Sequence, residues 1–371
     1  MSRPAIYIAI TNHGFGHAVR AASVAAKIQQ FCPDILLFLV TTAPRWLLES
    51  YIPGPFVVRP RALDVGVIQS DSITMDRGAT LEKLRDIRRR ERAIVAGEVN
   101  FIRQNRIGLL LADIPPLAAP IARFAGIPGF MMGNFGWDFI YGDWGGEFVE
   151  IADWIADCFG QCDRLFRLPL HEPMSAFPDI RDVGLTGGDP RYELSQLRAD
   201  FGIDTPPEKT VMLTFGGLGL AKIPYQNLRQ FPDYQFITFE GNSPDLPNLI
   251  PVRNRIRSEQ FSADYSRIRP VDLMPLCGRV ISKPGFSTFS EALRLDVPLV
   301  SLVREGFAEA PLLMEGLQNY ARHQILTSGD FFEGDWDFLR QPLNPPHLLQ
   351  PLDKNGSDAI AKATIELIIN N

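Results

Sequence analysis

The sequence predicts a two-domain α/β protein, two Rossmann-like halves whose parallel sheets face a central cleft. Three observations carry this prediction. At ~150 residues per domain, a chain of 371 residues has room for two cores. Strand-length apolar runs recur between helical stretches, the pattern of parallel strands covered on both faces. The order strand, Gly-rich loop, helix also occurs twice, first from Ala5 and again from Thr210.

In the first half, Ala5–Ile10 is an apolar run of β-formers that stops at Thr11–His17, a loop containing Gly14 and Gly16. Ala18–Gln30 then reads as a helix, with Val19, Ala22, Ala26 and Ile28 on its inner face. Asp34–Thr41 is the next strand, and Arg77–Arg103 a long charged helix. Gly108–Ala112 is a buried strand ending at Asp113, and Ile114–Phe124 a helix with Pro115 and Pro116 in its first turn. Ile127–Met132 is another strand. Asn134–Tyr141 is too aromatic and Gly-punctuated for a plain helix, whereas Glu147–Cys158 is helical.

Gly187, Gly188 and Pro190 mark Asp182–Arg191 as a linker. Beyond it come strands at Thr210–Phe215, Tyr234–Phe239, Arg279–Ser282 and Pro298–Val303, with a helix at Ser287–Leu295. The reading gives a first domain over 1–190, a second over 191–353, and a helix in 354–371 that crosses back onto the first half.

The formal net charge of -6 argues against a nucleic-acid partner. The first apolar run is far short of a membrane span, so the expectation is a cytoplasmic protein without a transmembrane segment; peripheral membrane contact stays open. Of the four cysteines, Cys158 and Cys162 share a helix face, but no second pair completes a metal site. Asp335-x-Asp337 is an acid pair of the metal-holding kind, yet no strand leads into it, and no metal is expected.

Open α/β sheets bind ligands beyond the carboxyl ends of their strands. His17 starts the first helix there, where a neutral imidazole can take a proton from a hydroxyl or simply cap the helix. Asp113 follows a neighbouring strand and either orients His17 or caps the next helix. In the second half, Gly216 and Gly217 let backbone approach a ligand closely. In the segment Lys283–Glu291, Gly285 leads into Ser287 and Thr288 at a helix start, an anion site suited to a diphosphate. Thr288 and Glu291 also fit a capping box, which can coexist with that role. Glu309, Glu315 and Gln318 lie beyond the next strand, placed either to bridge ribose hydroxyls or to form a solvated helix face.

The segments Gly14–Arg20, Gln69–Arg77, Asn134–Tyr141, Arg167–Leu170 with Pro173–Phe177, Phe215–Gly217, Lys283–Ala292 and Arg304–Leu312 resemble the N-terminal glycosyltransferase-like domain of plant L-arabinokinases. The likeness runs through almost all of the chain. More distantly, the layout is similar to GT-B glycosyltransferases such as the bacterial N-acetylglucosaminyltransferase of peptidoglycan lipid synthesis. The resemblance implies a GT-B fold that binds a UDP-sugar as substrate and needs no cofactor. His17 would be the base and Asp113 its orienting carboxylate. Donor contacts would come from Gly216, Gly217, Lys283, Gly285, Ser287, Thr288, Glu291, Glu309 and Gln318. The unidentified acceptor would lie near His13, Gly16, Asp76, Arg77, Trp137 and Asp138. No carboxylate stands out as a covalent nucleophile, so transfer would invert the anomeric centre. The kinase half of those proteins has no counterpart here, and sugar phosphorylation is not implied. A non-catalytic sugar-nucleotide sensor or assembly partner and a UDP-sugar epimerase are the alternatives on the same architecture.

Overall fold

The computed structural model describes residues 3–69, 75–217, 219–220, 222–258, 261 and 263–370. Residues 70–74 of the Gln69–Arg77 segment lie outside it. The first half runs β1 (Ala5–Ile10), α1 (Gly16–Phe31), β2 (Leu36–Val40), α2 (Arg45–Tyr51), β3 (Val57–Arg59), α3 (Arg77–Gln104), β4 (Leu109–Asp113), α4 (Ala118–Ala125), β5 (Gly129–Gly133), α5 (Trp137–Trp144), α6 (Val149–Phe159), β6 (Arg164–Arg167) and β7 (Ile180–Asp182). The second runs α7 (Leu194–Phe201), β8 (Thr210–Leu213), β9 (Gln235–Thr238), β10 (Leu249–Pro251), α8 (Val252–Ser258), α9 (Pro270–Leu273), β11 (Arg279–Ser282), α10 (Phe286–Arg294), β12 (Leu299–Leu302), α11 (Glu309–Tyr320), β13 (His323–Leu326) and α12 (Ser328–Phe332). The closing helix is α13 (Gly356–Asn370).

The strands form two sheets, one of seven strands in the order β3-β2-β1-β4-β5-β6-β7 and one of six in the order β10-β9-β8-β11-β12-β13. Every ladder is parallel. The apolar runs explain this. All six residues of β1 are buried, as are all of β4 and β5, so helices must cover both faces. In each sheet the opening strand, β1 or β8, sits where the strand order reverses, and the loops leaving those strands face one cleft.

Helix α1 lies at the junction, packed on α2, α10 and α13. Its buried apolar face is Ala18, Ala21, Ala22, Val24, Ala25 and Ile28, wider than the predicted set because several partners cover it; Ala22 and Ile28 lie on it as predicted, and Val19 and Ala26 fall at the margins. Small alanines let those partners approach closely. The C-terminal helix α13 does return to the first half, where Ile360 and Ala361 are fully buried.

Two local expectations, at Ile114 and at Asn134–Tyr141, fail for identifiable reasons. Ile114 takes φ 49°, a left-handed turn that postpones α4 to Ala118, so the prolines precede the helix. Asn134–Tyr141 does become helical from Trp137, because tertiary burial of Trp137, Ile140 and Tyr141 overrides its composition. Asp335 and Asp337 belong to a local turn, in which Asp335 accepts the Asp337 amide and Asp337 pairs with Arg340. Among the described residues no group of acids, histidines and cysteines is placed to hold a metal.

Candidate active site

The first-half wall of the cleft is assembled at the carboxyl ends of β1 and β4. Parallel register sets Ile10 beside Asp113, which brings that aspartate under the loop leaving β1. Asp64, buried, accepts the Asn12 amide at 2.7 Å and the Thr11 hydroxyl, and so anchors the loop; burial pushes its carboxyl up to about 6. Gly14, at φ 56°, makes the turn that α1 needs to begin at Gly16.

His17 occupies the first turn of α1, buried and lining the cleft. Its Nδ1 lies 2.7 Å from Asp113 Oδ1. With Nδ1–H donating to the carboxylate, Nε2 is the nitrogen left for proton transfer. The structure adds a partner that the sequence reading missed. Arg20 grips both oxygens of Asp113 at 2.6 Å and donates to Asn134 Oδ1 at 2.9 Å. The signal was present in sequence, since Arg20 stands three residues after His17 on one helix face. Burial alone would raise the Asp113 carboxyl, but the charges and hydrogen bonds of Arg20 and His17 hold it below the usual range. The carboxylate therefore orients His17 while sharing its charge with a guanidinium.

His13 lies beside His17, their rings 6.0 Å apart, and stacks on Phe307 from the second half. The Val67 amide donates to its Nδ1, which leaves Nε2–H as a donor. Burial, then the charges of His17, Arg304 and Lys283, press its pKa well below the ordinary value.

The opposite wall comes from the ends of β8, β11 and β12. Gly216, Gly217, Lys283, Gly285, Ser287, Thr288, Arg304 and Glu309 all line the cleft, which encloses about 810 Å³ of empty space including its open mouth. The N-cap of α10 is Gly285, so no side chain caps that helix. Its first amides and the positive end of its dipole face the cleft uncapped. Lys283 is pushed down to about 8, first by burial and then by the charge of Arg304, with Glu309 opposing. Arg304 is buried against the Phe307 ring, 4.3 Å from its centroid.

Several predicted contacts are engaged by the protein itself or lie outside the cleft. Ser287 gives its hydroxyl to the Gly16 carbonyl at 2.6 Å, tying the two lobes together. Glu291 does not form the predicted capping box: it is buried away from the cleft, accepting from the Tyr51 hydroxyl and the Gly188 amide, each at 3.1 Å. Gln318 sits at the far end of α11, outside the cleft lining. Asp76 is an exposed N-cap that accepts the Ala79 amide. Arg77 reaches across the lobes to the Gly306 carbonyl and stacks on Trp144. Trp137 is fully buried, donating to Thr11 and supporting the rings of His13 and His17 from beneath, so it offers no free face to an acceptor. Asp138 does not line the cleft; burial and the neighbouring Glu172 raise its carboxyl to about 6. The sequence reading also passed over Arg304 and Gln69 as individual residues, although both fall at the edges of segments that carried the resemblance.

Two parallel-sheet α/β halves facing one cleft are the GT-B architecture, the fold of the glycosyltransferase structures the chain superimposes on. Among proteins of known activity, the chain is similar to L-arabinokinase of Arabidopsis thaliana, with 32% identity over 338 residues, 88% of this chain and 31% of that protein. It thus spans about a third of the length of that relative. No family model matches the chain. Among solved structures it superimposes on UGT71G1 of Medicago truncatula complexed with UDP-glucose, with TM-score 0.59 and 12% identity, covering 99% of this chain and 98% of that one. UGT89C1 of Arabidopsis thaliana complexed with quercetin gives TM-score 0.58 and 12% identity over 100% of this chain and 91% of that one. A UDP-glucose: anthocyanidin 3-O-glucosyltransferase in complex with UDP gives 0.57 and 13% over 100% and 94%. No helix among the described residues is long and apolar enough to cross a membrane.

Proposed function

We propose that the protein is a nucleotide-sugar-dependent glycosyltransferase acting on a UDP-sugar by one inverting displacement. The observation that carries this reading is the oriented His17–Asp113 pair, which faces the uncapped start of α10 and Lys283 across one cleft. In the reaction, His17 Nε2 takes the acceptor hydroxyl proton as that oxygen bonds to the anomeric carbon. The bond from that carbon to the diphosphate breaks on the opposite face. Negative charge collects on the leaving diphosphate, where the α10 amides and Lys283 lie ready to receive it. No step asks for a metal.

Replacement of His17 by Ala is expected to lower UDP release by about 10²-fold or more while leaving UDP binding intact. UDP-release assays over an acceptor panel, with thermal shift by UDP as the binding control, measure both. Unchanged turnover in His17→Ala removes the proposed base.

A non-catalytic sugar-nucleotide sensor is the second reading. It is favoured by the engagement of Ser287 and Glu291 with the protein itself, since both were expected to touch the donor. UDP binding with no UDP release for any acceptor would select it.

A further inference from the structure

The cleft holds more unmatched hydrogen-bond donors than the diphosphate seat at α10 explains. Arg304, only 7% exposed, lines it, and among the described residues its Nε and Nη2 have no hydrogen-bond partner. Those two atoms form one edge of the guanidinium, the edge that fits two oxygens of a single carboxylate or phosphate. Gln69, half-buried on the first-half wall of the same cleft, also has a buried Nε2 with no hydrogen-bond partner among the described residues. Buried donors are rarely left unmatched, because desolvation without a partner costs free energy that a bound group restores. Glu309 does not fill the role, since its Oε1 accepts from Asn134 at 2.8 Å and it makes no hydrogen bond to Arg304. The stack of Arg304 on Phe307, and of Phe307 on His13, ties the guanidinium to the histidine side of the cleft. That is where sugar and acceptor would meet.

We propose that a substrate of this cleft carries an anionic group besides the donor's diphosphate, a carboxylate or a phosphate monoester, held by the Nε–Nη2 edge of Arg304 with Gln69 as a further donor. This rests on the glycosyltransferase reading for the placement of the diphosphate at α10. The group has two chemical sources, an acidic sugar on the donor or an acidic acceptor.

Calorimetric titration separates them. UDP, UDP-glucose and UDP-glucuronate are compared on the wild type, and glucose is compared with glucose 6-phosphate on the UDP-saturated protein. One acidic ligand is expected to bind about tenfold or more tighter than its neutral counterpart. Arg304→Met is expected to erase that preference and leave UDP affinity within about twofold. Arg304→Lys keeps a cation but not the fork, and should lose most of the preference as well. Because the Nε–Nη2 edge of this buried cation makes no hydrogen bond among the described residues, Arg304→Met is expected to leave Tm unlowered, and that measurement guards against misfolding as the cause. The proposal is overturned if neither acidic ligand is preferred, or if Arg304→Met weakens UDP itself as much as the acidic ligands, which would make Arg304 part of the diphosphate seat. Failure of UDP to bind the wild type, with an acidic sugar still bound through Arg304, would instead remove the glycosyltransferase reading and leave the anion seat.

Discussion

Lys283 is where charge, burial and ligand meet most directly. Its ammonium is disfavoured by burial in the wall of the cleft and by Arg304, with Glu309 opposing, so the unliganded protein holds that proton only below about pH 8. A bound diphosphate supplies the missing anion and restores the proton. Binding above pH 8 must therefore take up a proton, and affinity falls as pH rises. UDP affinity is expected to be flat between pH 7 and about 8, then to weaken by up to about tenfold per pH unit toward the ordinary lysine pKa. Calorimetry in buffers of different ionisation enthalpy reads the proton uptake directly, and Lys283→Met should abolish it. A flat profile through pH 9 would place the diphosphate elsewhere.

How far single residues were legible follows from how each is held. His17 and Asp113 were readable because neighbouring parallel strands bring their carboxyl ends together, and position in the sheet fixes their meeting. Glu291 was not, since its partner Tyr51 lies 240 residues earlier and no local pattern reports such a contact. Trp137 was misplaced for a related reason. An aromatic beside glycines looks like a ligand platform until its indole N–H is seen on Thr11.

At the scale of elements, long apolar strands and the helices at α1, α3, α10 and α13 were legible from period and punctuation. The three-residue strands β3, β7 and β10 were not, because edge strands that short carry too little pattern to stand out from loops. The start of α13 is set by close backbone approach. The Gly356 amide donates to the Leu185 carbonyl at 3.0 Å, and a Cβ at Gly356 would overlap the Gly184 carbonyl. The rest of the helix then depends on that seat, with Lys27 of α1 bridging Asp358 and the linker residue Asp189. Gly356→Ala is expected to destabilise by about 2 kcal/mol or more, read as a lowered urea midpoint. Gly241→Ala, where a Cβ meets nothing within 4 Å, is the matched control and should change little. Equal effects at the two positions would mean that the α13 seat yields freely.

For the whole molecule, the question is how two lobes that could each fold around their own sheet hold one geometry. Among the described residues, hydrogen bonds between the lobes include Ser287 to Gly16, Asn134 to Glu309, Arg77 and Trp144 to Gly306, and Glu291 to Tyr51 and the linker at Gly188. Glu291 is the buried titratable group among them that couples α10 to both α2 and the linker. Burial pushes its carboxyl up to about 7, against the Gly188 amide, Arg269, the Tyr51 hydroxyl and Arg294, which all favour the charged form. Its folded pKa is therefore above the unfolded value near 4.5. The stability it lends is fully present below pH 4.5 and declines as pH rises through about 7, because the unfolded chain releases this proton first. Glu291→Gln keeps an acceptor for Tyr51 and Gly188 but cannot titrate. The difference in urea midpoint between pH 5 and pH 8 is expected to be smaller in Glu291→Gln than in the wild type, with the variant more stable at pH 8. An unchanged difference would show that the carboxyl is exposed in solution, with Tyr51 swung aside and the lobes standing further apart. The ribose contact expected from sequence at Glu291 would then be open to a donor.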